Sequence, residues 1–196
     1  SLKEISGIVF SENGTIVNTP DRPLIHLDEI KWPNYELIDY DKYIDIRFQS
    51  IPGHYLKSGY IVGSRGCPYR CNFCATDLRV RYRERSIDDM LDEIEWQIEH
   101  YGIDGLVILD DLFYIKEKRV QEFCTKIIQR GIKIRWDCHA RVDKVDRKTV
   151  ELMKKSGCVL VLLGVESGSP RILDLMEKGI TRDQVKDTLK IYSDVG

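Results

Sequence analysis

From Cys158 to Gly164 the chain reads Cys-Val-Leu-Val-Leu-Leu-Gly, apolar throughout. A strand with no polar alternation is expected to be buried on both faces, as in parallel sheets whose faces are covered by helices. The preceding sequence repeats the same alternation of strand and helix. Tyr60–Gly63, Gly105–Leu109 and Ile132–Cys138 read as strands, the last alternating Ile134, Trp136 and Cys138 against Lys133, Arg135 and Asp137. Between them, Ser86 with Asp89 reads as a capping box that opens a helix striped by Met90, Leu91, Ile94 and Ile98 and closed by Gly102. A second helix runs from about Glu117 to Arg130 and ends at Gly131, and a third is capped by Asp146 and stops at Gly157. Beyond the last strand, Ser169-Pro170 starts a short helix and Thr181 with Gln184 caps a longer one. Four consecutive strand–helix units predict an α/β fold with a parallel sheet and right-handed crossovers.

The N-terminal part is of another kind. Ile8-Val9-Phe10 and Thr15-Ile16-Val17 flank Glu12-Asn13-Gly14, a hairpin signal, and two such strands alone are marginal in water. From Thr19 to about Gly59, prolines at 20, 23, 33 and 52 break periodicity, yet the stretch is rich in Trp, Tyr, Leu and Ile. It reads as an ordered connector that wraps the next domain. We expect residues 1–58 to form hairpin and connector and 59–196 to form the main domain; the absence of an initiator methionine fits an excised fragment.

Composition is that of a globular protein, with 42% hydrophobic and 32% charged residues and a net charge of −2, which argues against a general nucleic-acid or anionic-membrane surface. No apolar run approaches the roughly 18–20 residues of a membrane span, and no signal-peptide pattern opens the chain, so a cytoplasmic protein is expected.

Three of the six cysteines lie in Ser64-Arg65-Gly66-Cys67-Pro68-Tyr69-Arg70-Cys71-Asn72-Phe73-Cys74, at a C-x₃-C-x₂-C spacing directly after the first strand. Such a loop can turn three sulfurs toward one point, and thiolates favour iron–sulfur clusters or zinc. The local ligand count stops at three, which leaves one metal position open to a substrate or cofactor. Cys124, on a helical face with Val120, Phe123, Ile127 and Ile128, and Cys158, opening an apolar strand, read as core residues. The other strand ends are polar as well: Asp110 and Asp111, then Asp137, Cys138, His139 and Arg141, then Glu166 and Ser167. In parallel α/β barrels chemistry gathers at the C-terminal ends of strands.

The cysteine loop, together with Leu109-Asp110-Asp111-Leu112-Phe113, Arg141-Val142-Asp143 and Gly164-Val165-Glu166-Ser167-Gly168-Ser169, resembles the radical S-adenosylmethionine enzymes, in particular the branch often preceded by a cobalamin-binding domain. Residues 8–39 are similar to the connector that follows that domain. The resemblance implies a partial (β/α) barrel of six units, of which this chain supplies about four. It implies a 4Fe-4S cluster on Cys67, Cys71 and Cys74 whose fourth iron chelates S-adenosylmethionine. Phe73 would line the adenine, Asp110 and Asp111 would stand where the family orients the methionine amino group, Glu166 would contact the ribose or the methionyl part, and Arg141 would pair with the carboxylate. One electron from a donor such as flavodoxin or ferredoxin would cleave S-adenosylmethionine to methionine and a 5′-deoxyadenosyl radical, which takes hydrogen from a small-molecule substrate. Cobalamin would belong to the full-length parent. No side chain is expected to act as acid, base or nucleophile.

Two other readings remain open. Structural zinc would draw its fourth ligand from Cys138, His139 or His54. The run of Arg79, Arg81, Arg83 and Arg85, with Arg83-Glu84-Arg85-Ser86, is similar to methylthiotransferases acting on transfer RNA or a ribosomal protein, although solvated arginines pairing with helix carboxylates would look the same. Finally, with no fifth strand in view, the edge of Val159–Leu163 is expected to dimerise or aggregate, or to be covered by the hairpin or connector, and turnover by these residues alone is expected to be negligible.

Overall fold

A computed structural model describes residues 1–44, 56–74 and 81–196. Strands β1 (Val9–Glu12) and β2 (Thr15–Asn18) form the expected antiparallel hairpin. Asn13 and Gly14 both take positive φ, 52° and 80°, as a two-residue turn matched to strand twist requires. Two 3₁₀ turns, Leu27–Glu29 and Tyr35–Leu37, and a short helix α1 (Asp41–Ile44) make up the connector. After β3 (Ser58–Ile61), the short strands β4 (Ser64–Arg65) and β5 (Arg83–Glu84) pair with each other. Then follow α2 (Ile87–Tyr101), β6 (Gly105–Ile108), α3 (Glu117–Arg130), β7 (Arg135–Ala140), α4 (Arg147–Lys155), β8 (Cys158–Leu163), α5 (Pro170–Leu175) and α6 (Arg182–Val195).

β3, β6, β7 and β8 lie side by side in that order, all parallel. The register puts Ile61, Leu106, Ile108, Trp136, Cys138 and Ala140 on one face, where they are buried in the main core with Met90, Leu91 and Ile94 of α2 and Phe123, Cys124 and Ile127 of α3. Phe113, Phe123 and Trp136 meet edge to face at its centre, with ring centroids 5.2–6.1 Å apart.

β8 departs from the expectation of burial on both faces: Val159 is 36% exposed and Leu162 45%. The reason is its position. Among the described residues β8 pairs only with β7 and forms a sheet edge, and the hairpin is a separate two-stranded sheet that does not extend it. The third strand also runs later than expected, because Gly131 closes α3 in a left-handed conformation and the Ile132 N–H turns back to the Ile127 carbonyl at 3.1 Å. The alternation itself holds, with Ile134, Trp136 and Cys138 all buried.

The connector packs on the domain through a polar seam. The Tyr35 hydroxyl donates to Glu93 Oε1 at 2.5 Å, the Tyr40 hydroxyl donates to Gln97 Oε1 at 3.0 Å, and the Arg85 guanidinium reaches Glu93 Oε2 at 2.5 Å. The capping box expected at Ser86 is only half made. Its hydroxyl accepts from the Asp89 N–H at 3.3 Å, but its own N–H donates to Asp28 at 2.7 Å, while the Asp89 carboxylate receives Trp32 Nε1 at 2.9 Å and Arg85 Nε at 2.7 Å. Connector side chains thus take the contacts that a local box would have used.

Candidate functional site

The cysteine loop leaves the sheet under firm control. At the end of β3, the Gly63 and Ser64 N–H groups donate to Asp110 Oδ1 at 2.6 and 2.9 Å, and the Ser64 hydroxyl donates to Asp110 Oδ2 at 2.5 Å. Arg119 Nη2 donates to the Gly63 carbonyl at 3.1 Å. Asp110 is buried, and burial pushes its carboxyl above the usual range even against the Ser64 and Gly63 donors. It therefore ties the loop to β6 from beneath, and it is not among the residues that line the cavity above.

At its far side the loop is fastened to the end of α5. The Asn72 N–H donates to the Met176 carbonyl at 3.2 Å, and the Asn72 side-chain amide donates to the Leu175 carbonyl. Between these anchors, Cys67, Cys71 and Cys74 open onto one cavity of about 350 Å³, whose wall also carries Phe73, Asp111, His139, Arg141, Glu166 and Lys178. Phe73 is 44% exposed, with its ring offered to the cavity. Cys67 is half-buried, and burial first, then the negative charge of Asp111 and the two neighbouring thiols, pushes its thiol up, although a backbone donor at Tyr69 opposes this. Thiols crowded in this way ionise readily only when a cation joins them.

Arg141 stands over the loop. Its guanidinium carbon lies 3.8 Å from the Tyr69 ring centroid, Nη1 is 3.9 Å from Cys71 Sγ, Nε and Nη2 donate to Asp143 at 2.8 and 3.5 Å, and Nη2 also donates to the Lys178 carbonyl at 2.7 Å. Burial works against its charge, but Asp143, Tyr69 and Cys71 together hold the guanidinium above its ordinary value. Across the cavity, Glu166 takes a φ of 62° at the end of β8, and its Oε1 accepts from Lys178 Nζ at 2.8 Å. Lys178 was not singled out by sequence. Its partners lie on another element, and a Lys-Gly pair after a short helix carries no local signal.

Of the residues expected at the site, the fold brings together Cys67, Cys71, Cys74, Phe73, Asp111, Arg141 and Glu166, and sets Asp110 apart as a tie beneath them. Cys124 and Cys138 are buried in the core. The neighbouring Cys158 and burial push the Cys138 thiol up, and burial pushes the Cys124 thiol up to about 12. His139 lines the cavity with its Nδ1 3.3 Å from the Asp110 carbonyl oxygen, and His54 lies outside the described residues. Among the described residues, no three Cys, His, Asp or Glu side chains are close enough together to hold a single metal ion. The donor set of three thiols spread round one cavity, backed by a cation, fits the separate corners of an iron–sulfur cluster.

Two of the four arginines of the run are engaged within the chain, and Arg81 is exposed. Arg83 Nη1 donates to the Ile25 carbonyl at 2.7 Å and Arg85 is buried against Glu93 and Asp89; Arg79 lies outside the described residues.

The Radical SAM superfamily model matches residues 61–196. The chain is 38% identical over 198 residues to an uncharacterized methyltransferase of Pyrococcus horikoshii, covering 100% of this chain and 41% of that protein. It is 30% identical over 200 residues to the anaerobic magnesium-protoporphyrin IX monomethyl ester cyclase of Rubrivivax gelatinosus, covering 98% of this chain and 34% of that protein. Among solved structures, the cobalamin-dependent S-adenosylmethionine radical enzyme OxsB with aqua-cobalamin bound superposes with a TM-score of 0.81 at 25% identity, covering 100% of this chain and 29% of the other. The chain thus spans about two fifths or less of the length of each of these proteins.

Proposed function

Because this chain belongs to the radical S-adenosylmethionine superfamily, we propose that Cys67, Cys71 and Cys74 hold a 4Fe-4S cluster and that the cavity beside them binds S-adenosylmethionine for reductive cleavage. The observation that carries the reading is the meeting of three thiols, an arginine, a lysine and two carboxylates on one cavity wall at the ends of parallel strands. When bound, the cluster and S-adenosylmethionine supply the electron transfer and the 5′-deoxyadenosyl radical, chemistry that belongs to the cofactors.

The work of the chain is placement. Asp110 and Arg119 fix where the loop leaves β3, Asn72 fixes its far side to α5, and Arg141 stacks on Tyr69 and points Nη1 at Cys71. A positive charge near a cysteine ligand favours its thiolate form. Phe73 offers an apolar wall for the adenine, and Glu166 and Asp111 offer acceptors for the polar end of the ligand.

Methyltransferase and cyclase relatives favour methyl transfer or a related radical modification of a small molecule, and the likeness to the cobalamin-dependent enzyme OxsB favours cobalamin in the parent-length protein. We place the parallel sheet as the first four strands of a partial barrel, residues 59–196 as the radical S-adenosylmethionine domain, and residues 1–58 as the connector from a cobalamin domain. The electron donor is of the flavodoxin or ferredoxin class. No helix among the described residues is long and apolar enough to cross a membrane, and a cytoplasmic location suits this chemistry. A methylthiotransferase acting on transfer RNA draws no support from Arg83 and Arg85, which are engaged internally. Anaerobic reconstitution tests the reading. A brown protein whose reduced-cluster spin-resonance spectrum changes on adding S-adenosylmethionine supports it; a colourless protein carrying one zinc overturns it.

A further inference from the structure

Between the connector and the ends of β3 and β6 lies a second cavity, of about 340 Å³, within the range of roughly 300–1,000 Å³ usual for small-molecule sites. Its walls are apolar. The connector supplies Ile30, Tyr35 and Ile38, and the strand ends supply Tyr60, Val62 and Leu109. Ile30, Ile38 and Leu109 remain 42, 50 and 54% exposed, so the connector does not close over them. Single exposed apolar residues are ordinary, whereas several converging on one opening mark a binding surface.

The charges around this cavity are uneven. Arg85 and Glu93 lie on its wall, but Glu93 receives Arg85 Nη1 and the Tyr35 hydroxyl, each at 2.5 Å, and Asp89 receives Arg85 Nε at 2.7 Å. That group is satisfied and adds no free charge. Arg65 is the opposite case. Its backbone is fixed by pairing with Arg83, while its exposed guanidinium has no ion-pair or hydrogen-bond partner among the described residues. A free guanidinium at an apolar cavity suits a carboxylate, which the planar fork takes through two parallel N–H groups, on a molecule whose remainder is apolar. Lys31, on the same wall, also borders Asp28 and Glu29 and is the weaker attraction. Arg65 stands two residues before Cys67, and Leu109 two before Asp111, both on the wall of the cysteine cavity. Two residues span at most about 7 Å, so the two cavities lie within one small molecule's length of each other.

We propose that this cavity binds an apolar molecule ending in a carboxylate, with Arg65 holding the carboxylate, and that such molecules are the substrate class of the reaction proposed above. The substrate role rests on that reading; the binding does not. The anaerobically reconstituted chain is titrated calorimetrically with decanoate and with decanol, which has the same chain and no charge, before and after saturation with S-adenosylmethionine. Decanoate should bind about tenfold or more tightly than decanol, the value of one charge-assisted contact. Both should still bind once S-adenosylmethionine is present, as a substrate must. Arg65→Met should remove the preference by weakening decanoate alone, and Arg65→Lys should restore part of it. Ile38→Trp, which fills the cavity from the connector, should weaken both ligands while iron content holds. Equal affinity for the two ligands, or a preference that survives Arg65→Met, overturns the site. Competition between decanoate and S-adenosylmethionine overturns it as well, because decanoate would then occupy the cysteine cavity. Failure of the proposed function reads differently. A chain with the Arg65-dependent preference that takes up no cluster loses the function and keeps the site, whereas one that holds its cluster and S-adenosylmethionine but ignores decanoate keeps the function and loses the site.

Discussion

The six cysteines divide by surroundings into two sets of opposite chemistry. Cys67, Cys71 and Cys74 share a cavity, whereas Cys124 and Cys138 are buried among aromatic and aliphatic side chains and the Cys158 thiol donates to the Leu160 carbonyl at 3.6 Å. Alanine at Cys67, Cys71 or Cys74 is expected to abolish iron uptake, measured as iron per chain after reconstitution, because no spare thiol faces the cavity. Alanine at Cys124 should leave iron content unchanged and cost roughly 1–2 kcal/mol of stability, the scale of a small core cavity. Equal iron loss from both sets would sink the ligand assignment. Gly164→Ala provides a second check. Its new methyl would press on Lys178 Nζ and Glu166 Oε1, so affinity for S-adenosylmethionine should fall while iron content holds.

Helix α2 shows how an element can carry more than one allegiance. Its apolar stripe faces the sheet, yet Glu93 and Gln97 on the buried side hold the connector through Tyr35 and Tyr40. Glu93→Ala leaves the Arg85 guanidinium buried with half of its carboxylate partners gone, a change expected to cost about 3–5 kcal/mol. Limited proteolysis should then cut within residues 19–40 faster than in the unsubstituted chain; an unchanged rate would mean that the connector is held by its apolar contacts alone. Helix α4 offers a pH test. Asp146 caps it by accepting from the Thr149 N–H at 3.0 Å and also accepts from the Tyr114 hydroxyl at 2.8 Å. Burial opposes the charge, but these donors outweigh it and hold the carboxyl below its ordinary value. A lowered folded value means that the stabilisation is present above the unfolded carboxylate value of about 3.9 and is lost as pH falls through the folded one. Asp146→Ala should therefore destabilise by about 1 kcal/mol at neutral pH. Urea midpoints of parent and variant should converge in acid; a constant gap would show that the cap works without its charge.

At the scale of the whole molecule, β8 is an edge of the four-stranded sheet among the described residues. β8 exposes Val159 and Leu162 and pairs on one side only, and such an uncharged edge is a template for association. Light scattering on this 196-residue chain should show concentration-dependent self-association that Val159→Lys suppresses. A monodisperse monomer at all concentrations would show that the edge is protected.

Local chemistry made much of the molecule readable in advance. The strand–helix alternation, the Asn-Gly turn, the helix caps at Ser86, Asp146 and Thr181, and the glycine ends at Gly102 and Gly131 all depend on contacts within a few residues, and all appear in the structure. The cysteine spacing is equally local, because three thiols within eight residues reach one cavity through the loop alone. What required the tertiary structure were pairings between residues far apart in the chain. Asp110 looked like Asp111 in sequence, but the fold turned one carboxylate under the loop and the other toward the cavity. Arg141 looked free to take a carboxylate until Tyr69, Cys71 and the Lys178 carbonyl gathered around it beside its sequence neighbour Asp143. Lys178 gained its place only because α5 returns to the end of β8. The availability of a charged side chain is decided by its neighbours in space, and for Arg141 with Lys178 and Cys71, 37 and 70 residues away, those neighbours are chosen by packing.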